Sequence, residues 1–180
     1  MMAELEIRAA RQADLEHMVG INHNSRSEFA YKLDLRSDKT SFASNFERVY
    51  LPRPVNIKYP KDETTLIHSW ADAAAIFVGL VMGELVAYVA LENQRIRDTA
   101  RVTDLVVAPL MRRKGVGSGL LLACEAWAHE QKARRVLMEI QMRNDPAVQM
   151  VKKLGYQMCG YLDQYFPNHD PALFFDKPIN

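Results

Sequence analysis

Cysteine is scarce in this chain: two residues in 180, Cys124 and Cys159, too few for a disulfide framework and without metal-ligand spacing. Both stand in apolar-rich segments, which predicts buried free thiols, and that usage fits a reducing compartment. Long hydrophobic runs are missing too. The longest uncharged stretch, Ala73 to Gly83, falls far short of the roughly 20 residues a membrane helix needs. The opening "MMAELEIRAARQADLE" carries charge from its fourth residue and has no apolar h-region, which argues against a signal peptide. A cytoplasmic protein with no membrane partner is expected. Nor is there an excess of one charge: 23 Lys and Arg against 22 Asp and Glu give +1, so bulk electrostatics point to no nucleic-acid partner. The five histidines fall at no metal spacing, and no metal site is expected.

What is present is an ordinary globular composition, 48% apolar and 25% charged, in a length that suggests one domain over residues 1–180. "LEIRAARQADLEHMVG" alternates at Leu5 and Ile7, then changes to helical spacing after Asp14. Residues 24–72 read as an irregular insert. Pro52, Pro54 and Pro60 exclude a continuous helix, and the alternation of Val55, Ile57 and Tyr59 suggests short extended pieces. "AAIFVGLVMGELVAYVAL" is two strand-like runs meeting at Gly83-Glu84, "NQRIRDT" is a polar connection, and "ARVTDLVVA" is a third run ending at Pro109. A helix follows, with Leu120, Leu121, Cys124, Trp127 and Ala128 on one face. Then come the strand "RVLMEIQ", a helix ending near Gly155, and the strands "YQMCGYL" and "ALFFDKPI". The order predicts a mixed sheet carrying helices.

One stretch stands apart. "VVAPLMRRKGVGSGLLL" passes from strand to helix through three basic residues and three alternate glycines. Helix N-terminal amides lack partners and favour negative charge, and glycine lets an anion approach the backbone closely, so this is a sensible phosphate cradle. It is not a P-loop, because no lysine follows the glycines. It is not a dinucleotide fingerprint, because leucine stands where the third glycine belongs. An isolated basic run of this kind is also a common solvated loop.

Arg112-x-x-Gly115-x-Gly117 after a strand and a proline resembles the pyrophosphate motif of the GNAT (GCN5-related) N-acetyltransferases. "LMEIQMRNDPAVQMVKKLGYQMCGYLDQYF" is similar to the strand, asparagine, helix and LGY segment that follows in that family, and the nearest textures are its ribosomal-protein alanine and streptothricin acetyltransferases. The resemblance implies an α/β (α+β) fold with a mixed central sheet of about seven strands flanked by helices, with parallel strands splayed at an acetyl-CoA slot. Leu105, Val106 and Val107 would hold the pantetheine and acetyl group through their backbone. Amides of Arg113, Lys114, Gly115, Val116, Gly117 and Ser118 would hold the pyrophosphate, with Arg112, Arg113 and Lys114 adding charge. Asn144, Ala147 and Val151 match cofactor-side positions on the strand-to-helix turn and helix that follow. For Asn144, a plain helix N-cap is a compatible second role.

The implied reaction is direct attack of a primary amine on acetyl-CoA. An unperturbed alkyl amine, with a pKa of about 10.4, must lose a proton first, which requires a general base. A backbone N–H near Val107 would serve the developing oxyanion. Glu139 and Asp104 are the candidate bases, since a carboxylate inside an apolar strand needs a reason. Each also has the plain reading of facing water or pairing with arginine. Many relatives carry a tyrosine acid where this chain has Val151, and Tyr165 or Tyr161, around "DQYFPN", is the replacement candidate. The acceptor stays open between a small-molecule amine and a peptide amine. The alternative is a module that binds acyl-CoA without turnover, or, further off, an interaction domain. A homodimer is a reasonable expectation.

Overall fold

Alternating apolar residues and turn-forming glycines set the order of elements across residues 4–94 and 98–179, the part of the chain that the computed structural model describes. The middle of the polar connection around residues 95–97 lies outside those residues. Strands β1 (Leu5–Ala9), β4 (Ala75–Val81), β5 (Glu84–Gln94), β6 (Thr99–Val107), β7 (Arg135–Gln141), β8 (Gln157–Leu162) and β9 (Ala172–Pro178) form one sheet in the order β1-β4-β5-β6-β7-β9-β8. Every neighbouring pair is antiparallel except β6 and β7, which are parallel. Helices α1 (Leu15–Gly20), α2 (Glu63–Ala71), α3 (Val116–Glu130) and α4 (Asp145–Lys153) complete a mixed α/β fold, the class the sequence predicts. The β4–β5 turn centres on Met82 and Gly83, both at positive φ, one residue earlier than expected.

The two sheet faces bury separate cores. On one, Leu120, Leu121 and Cys124 of α3 and Val148 and Val151 of α4 pack on Val89, Val102, Val136 and Ile140. On the other, Met18 of α1 and Leu66 and Trp70 of α2 pack on Val78, Tyr88, Ala90 and Val106. Full burial of such a side chain contributes roughly 1.5–3 kcal/mol. Cys124 is buried as expected, but Cys159 is exposed, because it sits on β8, an edge strand of the sheet. Among the described residues no helix is long and apolar enough to cross a membrane.

The insert is more regular than its prolines suggest. Residues 24–72 hold a long hairpin, β2 (Ser25–Ser37) paired antiparallel with β3 (Phe42–Ile57), followed by α2. The prolines are accommodated by a break in register: Ser27 faces Val55 but Phe29 faces Tyr50, so residues 51–54 stand opposite Glu28 alone. Pro52 and Pro54 thus sit where no ladder hydrogen bond needs their missing N–H. Arg48 docks the hairpin on α4, contacting both Asp145 oxygens at 2.7 and 2.8 Å while its guanidinium lies 3.5 Å over the Phe29 ring. Burial disfavours the Asp145 charge, but hydrogen bonds from Arg48 and Gln149 outweigh it and hold the carboxyl below its ordinary value.

Candidate active site

Among the described residues, the parallel pair β6–β7 is joined through Thr99–Val102 opposite Arg135–Met138 alone. Beyond those pairs β6 runs on to Val107 and β7 to Gln141, so the strands separate and leave backbone groups facing a gap. A cleft of about 910 Å³ lies there, with Leu105, Val106 and Val107 on one wall and Met138, Glu139 and Ile140 on the other. At one end stands the N-terminus of α3. Arg113 and Gly115 both take positive φ, 64° and 84°, which turns the chain into the helix. The first helical bond is Gly119 N–H to Gly115 O at 2.9 Å, leaving the amides of Val116, Gly117 and Ser118 without an intrahelical partner.

Of the sequence-predicted cofactor residues, Arg112, Arg113, Gly115, Gly117, Ser118, Asn144 and Ala147 also line the cleft. The structure does not bring the Lys114, Val116 and Val151 side chains there. Lys114 is exposed beside Met111, and Val116 and Val151 are buried in the core, so only the Val116 amide remains available. Arg112 also does other work. Its guanidinium donates to Val107 O at 2.8 Å and to Asn22 O at 3.0 Å, tying the end of β6 to the loop after α1. Asn144 caps α4 by accepting from Ala147 N–H at 3.4 Å. Lys153, which the sequence reading did not single out, joins this end from the last turn of α4.

The other end is built by a β-bulge. Ala90 pairs with Asp104 and Leu91 with Val102, leaving Thr103 unpaired. The extra residue shifts the alternation, so Arg101 and Asp104, three apart, can share one sheet face. Glu139 approaches that face from β7. Arg101 holds Glu139 through both oxygens, at 2.6 and 3.0 Å, and reaches Glu92 at 3.0 Å. The Tyr165 hydroxyl donates to Glu139 Oε2 at 2.6 Å, from the loop between β8 and β9. Burial, then the hydrogen bond to the Glu139 carboxylate and its charge, push this phenol up to about 12. Tyr161 does not join the network; its ring packs on Phe46 of the hairpin.

Asp104 is enclosed differently. Its side chain is 0% exposed, against 13% for Glu139. Lys61 Nζ lies 2.8 and 2.7 Å from its two oxygens, Thr103 donates at 3.1 Å, and the Tyr59 hydroxyl donates to Oδ1. Tyr59 and Lys61 come from the insert, and neither was legible in the sequence as a partner for a carboxylate in β6. His23 also lines the cleft; Nδ1 lies against Ile21 O and Nε2 is 2.8 Å from the Tyr88 hydroxyl, and burial lowers its pKa. Arg101 carried the clearest missed signal, an arginine inside a strand with a carboxylate on each neighbouring strand, Glu92 and Glu139. His169 lies outside the cleft lining. Among the described residues no group of three or more His, Cys, Asp or Glu is placed to hold a metal ion.

Comparison with known proteins agrees with this geometry. The model of the acetyltransferase (GNAT) family matches residues 42–156. A streptothricin acetyltransferase of Streptomyces lavendulae is 25% identical over 160 residues, 86% of this chain and 82% of that protein. An N-alpha-acetyltransferase of Sulfurisphaera tokodaii is 30% identical over 117 residues, 59% of this chain and 70% of its own. A Bacillus anthracis structure named for streptothricin acetyltransferase, solved in complex with acetyl coenzyme A, superposes with a TM-score of 0.80 over 98% of this chain and 99% of that one, at 19% identity. At that identity the likeness is one of fold.

Proposed function

Because the chain belongs to the GNAT acetyltransferase family, we propose that it transfers the acetyl group of acetyl-CoA to a primary amine. The observation that carries this reading is the continuity of one cleft, from the unpaired amides at α3, through the gap between β6 and β7, to Glu139 and Tyr165. The residues fit the cofactor. Three free helix amides and the charges of Arg113 and Lys153 suit a pyrophosphate. Gly117 keeps the floor open, since a Cβ there would stand 3.0 Å from Met150 Sδ and 3.6 Å from Val107 Cγ2. Bound there, acetyl-CoA supplies an activated acyl thioester.

Glu139 is the carboxylate we place at the amine. It is the more exposed of the two candidates, and its partner Tyr165 lines the same cleft. The amine gives its proton toward Glu139, and the Tyr165 hydroxyl, protonated at neutral pH, is freed from Glu139 as that carboxylate takes up a proton and then donates to the leaving thiolate. Asp104, fully enclosed and bonded to Lys61 and Tyr59 of the insert, we assign to anchoring that insert against β6. Backbone N–H groups alternate along β6: Ala108 N–H bonds Val86 O of β5, so those of Leu105 and Val107 turn to the gap, where they can stabilise charge developing on the acyl oxygen.

Titration calorimetry with acetyl-CoA, with ATP and NAD as controls, tests the cofactor assignment. Thiol release across an amine panel then tests turnover. Selective acetyl-CoA binding with amine-dependent thiol release is the expected outcome. Binding without thiol release for any amine would favour a non-catalytic acyl-CoA module, and no binding would reject the cofactor assignment.

A further inference from the structure

The chemistry of the cleft bears on the acceptor, because its two ends differ in charge. At the α3 end stand Arg112, Arg113 and Lys153; elsewhere the lining carries Asp72, Glu92 and Glu139 with a single arginine, Arg101, which bonds the last two. Lys61 adds nothing to that balance, being matched by Asp104 at 2.7 Å. Asp72 and Glu92 belong to the same corner: Ala74 N–H donates to Leu91 O at 2.8 Å, and Ala75 faces Leu91 across the sheet. Arg101 already meets Glu92 at 3.0 Å and spends its other nitrogens on Glu139. One guanidinium among three carboxylates leaves an excess of two negative charges.

Two further features of the same half point to a cation. The rings of Tyr59, Tyr165 and Phe166 line it, and aromatic faces beside carboxylates favour organic cations. Helix α2 turns Thr65, Ser69 and Asp72 toward the cleft. That spacing of four and three residues makes a single helix face, and its oxygens can accept from ammonium N–H groups.

Resting on the acetyl-transfer reading, we propose that the acceptor is a small amine with a second positive charge, of the diamine or polyamine class. The attacking nitrogen gives its proton toward Glu139 and forms the amide C–N bond at the acyl carbon as the thioester C–S bond breaks, and the leaving thiolate takes a proton from the Tyr165 hydroxyl to depart as the thiol. The second ammonium keeps its proton and rests between Asp72 and Glu92. An amine without that second charge leaves the excess of negative charge in this half of the cleft unmatched.

The test compares thiol release with diaminobutane, butylamine and a tripeptide whose only charge near its free N-terminus is the amine itself, using the full chain and acetyl-CoA. The expected kcat/KM favours diaminobutane over butylamine by about tenfold, the factor roughly 1.4 kcal/mol gives. In about 0.5 M salt that advantage shrinks, because the Debye length falls well below the size of the site. Asp72 is exposed at the end of α2, so Asp72→Asn leaves folding aside; it lowers the ratio through a higher KM for the diamine. Equal kcat/KM for diamine and monoamine, or a preference for the tripeptide, overturns the inference. Calorimetry run alongside separates the two levels. A protein that binds acetyl-CoA but does not turn over the diamine overturns this inference alone, whereas one that binds no acetyl-CoA overturns the reading beneath it as well.

Discussion

Tyr165 sits in a loop, yet it is the residue on which the chemistry turns. Its hydroxyl is held by Glu139 at 2.6 Å and lies 3.3 Å from Arg101, and its ring packs edge-on against Phe174. Pushed up to about 12, the phenol keeps its proton through the neutral range. Tyr165→Phe keeps the ring and removes the proton, so kcat should fall by roughly 100-fold with acetyl-CoA affinity unchanged. A wild-type kcat in that variant would reduce the side chain to packing. The sequence made Glu139 and Asp104 visible because carboxylates among strand residues demand an explanation, and Tyr165 because the expected tyrosine acid is missing at Val151. It could not show that Arg101 serves Glu139 or that Lys61 serves Asp104, since those pairs join positions 38 and 43 residues apart. Nor could it separate the two carboxylates, because their difference is enclosure.

At the level of elements, α3 shows why three alternate glycines precede the leucines. They answer to different neighbours. Gly115 turns the chain at φ 84°, and Gly117 keeps the cleft floor clear. Gly119 faces the sheet instead, where a Cβ would lie 2.9 Å from Leu5 Cδ2 and 3.3 Å from Ile7 Cδ1. Substitution should therefore split the two properties. Gly119→Val should cost about 1–3 kcal/mol in urea unfolding through overpacking against β1, with acetyl-CoA affinity retained once folded. Gly117→Val should leave most of the stability in place and lower acetyl-CoA affinity at least tenfold by calorimetry. The reverse pattern would exchange their roles. The strands of the main sheet were legible because alternation and turn glycines agree there. The hairpin was not, because its two prolines sit in a register break that no local pattern announces, and because pairing Phe29 with Tyr50 is a tertiary fact.

Across the whole molecule, the hairpin and the cofactor end of the cleft share one helix. α4 receives Arg48 from the hairpin at Asp145, and its Asn144 and Ala147 line the cleft. Asp145 has a side chain only 6% exposed, so removing its cation leaves a largely buried charge supported by Gln149 and Tyr31. Arg48→Ala should lower stability by about 1–3 kcal/mol and speed limited proteolysis within residues 36–45. Unchanged cleavage there would mean that the contact of Phe46 with Tyr161 suffices to dock the hairpin. The forked strands carry a mechanical consequence of their own. Among the described residues, the pairs of Thr99–Val102 with Arg135–Met138 are the only sheet bonding between a four-stranded blade, β1-β4-β5-β6, and a three-stranded one, β7-β9-β8. The sheet is therefore forked like a pair of tongs, its blades bridged on one face by the α3 and α4 core, with Arg101 at the fork reaching Glu139 just past it. An occupant of the fork would touch both blades at once, so its binding should slow amide hydrogen exchange in β6 and β7 together.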